Sequence, residues 1–219
     1  MMPAAAWAQD AGDGLDSNGL NPERIMGVLP NYGTINTPTP QTAPLTARQK
    51  WHLVVVETVD PFNLANSTLG AGFSQIGNQM PSYGEGGVAF AKRFGAAIGD
   101  MTSQNIFSGG LLACVLHRDP RYFRKGPQAR VAYRLVYSAG QLFLAKQDSG
   151  RWAFNGSNIF GMMMGIGTSN LYYPRGSRNW DVMGDRVITS LTGGLIGNLQ
   201  AEFWPDLQKV LHRHHIPLT

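Results

Sequence analysis

From Leu45 onward the apolar residues fall at helical spacing, and the gaps between runs carry residues that stop helices. Thr46 is placed to cap a helix through Trp51, Leu53, Val54, Val55 and Val56, which Asp60-Pro61 would end. A second helical stretch runs from about Pro61 to Gly77, and Pro81-Ser82-Tyr83-Gly84 reads as a turn. The pattern then predicts a long helix from about Glu85 to His117, stopped by Asp119-Pro120. Another is predicted from about Gln128 to Ala145, closed by Asp148-Ser149-Gly150. Asn155 or Ser157 would cap a helix reaching about Tyr172, ahead of Pro174 and Gly176. The last helix is predicted from about Ser177 to Phe203, bent or interrupted at Pro205. No strict two-residue alternation repeats, which argues against a β-barrel. A hairpin from Leu142 to Phe154 is the minority alternative for that stretch. The expected fold is all-α: a compact bundle of five or six helices over residues 46–219.

Residues 9–45 lack this periodicity and are rich in Gly, Asn, Asp, Pro and Thr, with Thr37 to Pro44 an extended, polyproline-like spacer. Within them Arg24 to Tyr32 is more apolar and is expected to dock onto the helical domain. Ahead of this region, Ala6-Trp7-Ala8 has the A-x-A form of a signal-peptidase site, and Gln9-Asp10 suits a mature start. The basic segment and apolar run of a complete signal are missing. Residues 1–8 are therefore expected to be the remnant of a longer signal peptide on an exported protein, an Ala-rich irregular terminus being the alternative. No cysteine follows the site, so a lipid-anchored lipoprotein is not expected.

Composition narrows the partners. The chain of 219 residues is 43% hydrophobic and only 15% charged, where about a quarter is usual, which argues against a disordered chain. A mean hydropathy of −0.16 does not resemble a polytopic membrane protein. A net charge of +4 is too small to suggest a nucleic-acid partner. One cysteine excludes a disulfide framework and a cysteine-based zinc site.

Glycine is the departure that matters, with 27 residues. Gly87, Ala91, Gly95, Gly99 and Ser103 form a run at four-residue spacing; Ser157, Gly161, Gly165 and Ser169 form a second; Thr189, Gly193, Gly197 and Ala201 form a third. Residues four apart share a helix face, so each run is a smooth stripe. Glycine costs about 1 kcal/mol in a helix relative to alanine, and close backbone approach between helices is the compensation these stripes suggest. On that reading Gly87, Gly95, Gly99, Gly161, Gly165, Gly193 and Gly197 are helix-packing positions, and leucine at Gly95 or Gly193 should destabilise the fold. A packed bundle lying on or partly in a membrane is favoured over a multi-span protein. The longest stretch without an ionised side chain, Trp152 to Pro174, is broken by Asn155, Ser157, Asn158, Thr168, Ser169 and Asn170.

His117-Arg118-Asp119-Pro120-Arg121-Tyr122-Phe123-Arg124-Lys125 is the densest polar cluster. Arg118, Arg121, Arg124 and Lys125 could hold phosphate or phospholipid headgroups, because guanidinium groups bind such oxyanions bidentately. The plainer reading is a helix end whose cations complement the dipole, with Asp119 neutralising a neighbour. Cys114 and His117 could form a thiolate pair, but the apolar run around Cys114 favours an inert thiol. His52 with Glu57, and Asp181 with Asp185, are too sparse for a metal site, and the terminal His212, His214 and His215 are assigned none. No catalytic residue, metal or cofactor is assigned. Phe203-Trp204-Pro205-Asp206 and Leu171-Tyr172-Tyr173-Pro174 put aromatics at helix ends, as interfacial belts do, though packing under a loop explains them equally.

The segments Arg24 to Tyr32 (RIMGVLPNY), Ala91 to Ala97 (AKRFGAA), His117 to Phe123 (HRDPRYF), Tyr172-Tyr173-Pro174 and Glu202 to Asp206 (EFWPD) resemble a family of uncharacterised exported bacterial envelope proteins. The resemblance implies export and a shared helical domain; it supplies no activity, cofactor or catalytic residue. The leading expectation is a non-enzymatic, membrane-associated envelope bundle with a structural or interaction role. Its partner would be membrane lipid or an envelope protein, or a second copy of itself, and its place the periplasm or a membrane of the envelope. An enzyme acting on envelope lipid or phosphate esters through Arg118, Arg121 and Arg124, and a soluble periplasmic binding module, are the alternatives.

Overall fold

A computed structural model describes residues 20, 30–36, 38 and 42–213. Residues 1–8, most of 9–45, and His214 and His215 lie outside these. Part of the irregular segment is docked: Leu20, Leu45 and Leu53 form a buried cluster, with Tyr32 packed against it.

Helix α1 (Ala47–Val59) begins with a capping box, in which Thr46 Oγ1 accepts from the Gln49 N–H and the Gln49 side chain accepts from the Thr46 N–H. Asp60 ends α1 and starts α2 (Pro61–Ile76): its carboxylate accepts from the Phe62 N–H at 2.8 Å, and Pro61 needs no donor at the first helical position. A short 3-10 turn, Pro81–Tyr83, leads to α3 (Gly87–Asn105). The predicted long helix is continuous but not uniform. Ile106–Leu112 is π-helical, and the α geometry returns only for α4 (Ala113–Val115). The wide turn contains Gly109 and Gly110, against which Val54 and Trp51 of α1 are pressed; a Cβ on Gly110 would sit 2.8 Å from the Trp51 ring.

After the helix stops at His117, which adopts φ 51°, the chain pairs two short strands in parallel, β1 (Thr34–Ile35) and β2 (Tyr122–Phe123). The helix predicted to reach Ala145 ends earlier, as α5 (Val131–Gly140). The minority alternative is the one observed: β3 (Leu144–Lys146) and β4 (Trp152–Phe154) form an antiparallel hairpin with Gly150 at φ 82°. Asn155 explains the early stop. Its Nδ2 donates to the Gln141 carbonyl and its backbone N–H to that of Phe143, which draws the chain after Gly140 away from the helix axis. The Asn155 Oδ1 also caps α6 (Gly156–Ser169).

Helix α7 (Trp180–Arg213) starts three residues later than predicted, after a 3-10 turn at Arg175–Ser177, and continues past Pro205 without an interruption. Proline supplies no N–H and crowds the carbonyls one turn back. Close by, the Glu202 carbonyl accepts from Arg124 Nε at 2.9 Å and Arg134 Nη2 at 2.6 Å, which ties this turn of the helix to the rest of the fold.

The result is all-α in class, with two two-stranded sheets as accessories. Helix α6 packs antiparallel along α3 and its π continuation, α2 packs on α3, and α5 packs on α7. Among the described residues no helix is long and apolar enough to cross a membrane.

Candidate functional site

The predicted basic cluster does not form one open cationic surface. Arg121 is buried and bidentate to Asp119, with Nε to Oδ1 at 2.9 Å and Nη2 to Oδ2 at 2.6 Å. Arg124 reaches the Asp206 carboxylate at 2.5 Å, and Lys125 lies over the Tyr137 ring, 4.7 Å from its centre. Within the cluster, Arg118 alone has Nε and Nη1 without a hydrogen bond. Two of the three arginines are thus committed to carboxylates inside the fold.

Their environment is a buried ionic network that joins the HRDPRYF and EFWPD segments. The Glu202 carboxylate, fully buried, accepts from the Tyr122 hydroxyl, the Lys125 and Gly126 N–H groups and Arg134 Nε, all at 2.7–3.0 Å. Arg134 also holds Asp206 at 2.6 Å. Burial by itself would raise the Asp206 carboxyl, but hydrogen bonds from Arg124 and Arg134 keep it below the usual carboxylate range. Burial, with Glu202 beside it, pushes the Tyr122 hydroxyl far up, so it stays a donor. Every member is satisfied, as a structural network requires. Sequence reasoning missed Arg134 and Glu202, although each is a lone charge among apolar neighbours.

The glycine stripes divide. Gly161 and Gly165 do what the packing argument expects: a Cβ on Gly161 would lie 2.6 Å from the Ser108 Cα and N, and one on Gly165 would lie 2.6 Å from Gln104 Cγ. Ser157, Gly161, Gly165 and Ser169 are all buried, so the whole stripe is covered. Gly99 faces the Tyr172 ring at 3.0 Å, a side chain rather than a helix backbone. A methyl group on Gly87, Gly95, Gly193 or Gly197 would meet nothing within 4 Å, which corrects their assignment as helix-packing positions. Spacing places residues on one face; it does not say whether that face is covered.

Gly193 and Gly197 instead line a wide cleft of about 810 Å³. It shares Glu57, Asn105, Ser108, Asn158 and Asn198 with a deeper cavity of about 210 Å³. Glu57, near the end of α1, is half-buried and lines both spaces. Among the described residues no side chain pairs with its carboxyl, and burial raises it to about 7. A titratable group perturbed in this way on the lining of a polar cavity makes that cavity a candidate binding site. No group of three or more His, Cys, Asp or Glu side chains gathers for a metal among the described residues. His117 turns toward Asp148, 3.8 Å away, and Cys114 is a half-buried free thiol.

The other feature outside the packed core is one end of the bundle. The connections from α2 to α3 and from α6 to α7 meet there. Tyr83 stacks on Tyr173, Arg93 donates to the Met80 and Gly84 carbonyls, and Tyr172 and Tyr173 both donate to Asp100 at 2.6 Å. Arg186 lies 3.7 Å from the centre of the Tyr173 ring. Flanking these connections, Ile76 and Trp180 are each 85% exposed, Leu171 81% and Val88 72%. No family model, curated protein or solved structure matches the chain.

Proposed function

We propose that the chain is a non-enzymatic protein of the bacterial cell envelope, a helical bundle that rests on a membrane by the end carrying Ile76, Val88, Leu171 and Trp180. The observation that carries this reading is that the three most exposed large apolar side chains among the described residues, Ile76, Trp180 and Leu171, flank two adjacent connections, beside a tyrosine and arginine cluster. Protruding apolar groups beside amphipathic aromatics suit the boundary between headgroups and acyl chains. The A-x-A segment supports export. The phosphate-ester enzyme is less well supported, since Arg121 and Arg124 are occupied by Asp119 and Asp206.

The charges at this end balance. Exposed Lys92, Arg175 and Arg178 stand against exposed Glu85, Asp181 and Asp185, so apolar insertion rather than charge would drive binding. Flotation of the full chain with phosphatidylcholine vesicles tests this. The protein should float at low and high salt alike. Each inserted side chain contributes about 1.5–3 kcal/mol, so Leu171→Ala should weaken partitioning about ten-fold. A chain that stays at the bottom of the gradient at both salt concentrations would contradict the reading.

A further inference from the structure

Beyond membrane association, we infer that the cavity around Glu57 binds a small aliphatic ammonium ion, in which the ligand's N–H groups meet the Glu57 carboxylate and the neighbouring amide oxygens. The lining is rich in acceptors. Asn158 Nδ2 donates to the Leu142 carbonyl and Asn198 Nδ2 to the Ser138 carbonyl, each at 3.0 Å. Those bonds orient both amides and leave the Oδ1 of each unclaimed. Asn105 and Ser108, also on the lining, make no side-chain hydrogen bond to another described residue.

The charge balance points the same way. Asp119 and Arg121 also line the cavity, but they neutralise each other at 2.6 Å. Tyr122 donates its hydroxyl hydrogen bond to Glu202, and Tyr32, on the wall of the wider cleft, is a phenol. Glu57 is therefore the one group here whose ionised form lacks a counter-charge among the described residues. A half-buried carboxylate without a cation is disfavoured, and an ammonium group supplies both the charge and the donors that are missing. A neutral polyol would supply donors but no charge, and an anion would be repelled. A dry cavity of about 150 Å³ admits benzene, so about 210 Å³ admits a ligand of roughly six to ten non-hydrogen atoms.

Calorimetric titration of the full chain with ethanolamine, and separately with glycerol, tests the site. Because Glu57 ionises about 7 and the ammonium stays charged throughout, ethanolamine should bind about ten-fold more tightly at pH 8 than at pH 6. Glu57→Gln keeps the shape and hydrogen-bonding capacity of the wall, and its melting transition reports whether it is folded. In folded Glu57→Gln, binding at pH 8 should fall at least ten-fold. Absence of ethanolamine binding at millimolar concentration, equal binding by folded Glu57→Gln, or glycerol binding as tight as ethanolamine would each overturn the inference.

Discussion

Gly161→Ala and Gly193→Ala are the same chemical change on two helices, and the structure predicts opposite signs for them. At Gly161 the added Cβ would lie 2.5 Å from Ser108 Oγ and 2.6 Å from the Ser108 Cα and N. The obstacle is backbone, in the π-helical segment that α1 presses from the other side, so it has little room to retreat. Overpacking costs about 1–3 kcal/mol, and against backbone this close about 2–3; better helix propensity returns about 1, leaving a net loss of about 1–2 kcal/mol. At Gly193 the methyl meets nothing within 4 Å, and only the propensity gain of about 0.4–1 kcal/mol remains. Urea unfolding of the two variants beside the wild type measures the difference. A chain of this size should show melting shifts of about 2–4 °C per kcal/mol, downward for Gly161→Ala and upward for Gly193→Ala. Equal stability of Gly161→Ala and wild type, or a loss at Gly193 as large as that at Gly161, would refute the division of the stripes.

Three further outcomes follow from the buried charges. Glu57 carries its proton in the fold at pH values where the unfolded chain, titrating in the ordinary carboxylate range, has lost it. Stability should therefore fall between pH 4.5 and 8 by up to about 3 kcal/mol, at about 1.4 kcal/mol per pH unit, and Glu57→Gln should flatten that slope in urea titrations. Asp206 works in the opposite direction: held low by Arg124 and Arg134, it stabilises the fold above the ordinary carboxylate range, and that contribution is lost as pH falls. Asp206→Asn should blunt the acid limb of the same profile. Glu202→Ala removes the acceptor of Arg134 Nε, the Tyr122 hydroxyl and two backbone N–H groups, and should cost about 3–5 kcal/mol in urea unfolding; a loss below about 1 kcal/mol would show that the network contributes little.

What was legible in the sequence was local. Thr46 with Gln49, Asp60 with Pro61, and Asn155 ahead of α6 each act within three residues of themselves, and each caps the helix its position announces. The hairpin was less legible because residues 128–145 keep apolar spacing past Gly140, while the bonds that turn the chain come from Asn155, fourteen residues beyond Gln141. The basic cluster looked open because its carboxylates are distant: Asp206 lies 82 residues from Arg124, and Glu202 lies 68 from Arg134. A signal was nonetheless present. Glu57 in Val54-Val55-Val56-Glu57, and Arg134 in Tyr133-Arg134-Leu135, are single charges set in apolar runs, and a charge in such a place needs either a partner or a ligand. Arg134 has the first; Glu57 has no partner among the described residues.

Membrane seating turns on the end of the bundle where Trp180 projects, and that indole is placed to report on it. Tryptophan emission of the full chain, measured on phosphatidylcholine vesicles with and without brominated acyl chains, reads whether the indole enters the acyl region. Brominated lipid should quench the wild type strongly, and most of that quenching should be lost in Trp180→Phe. Emission unaffected by brominated lipid, or quenched equally in Trp180→Phe, would contradict a membrane-seated end.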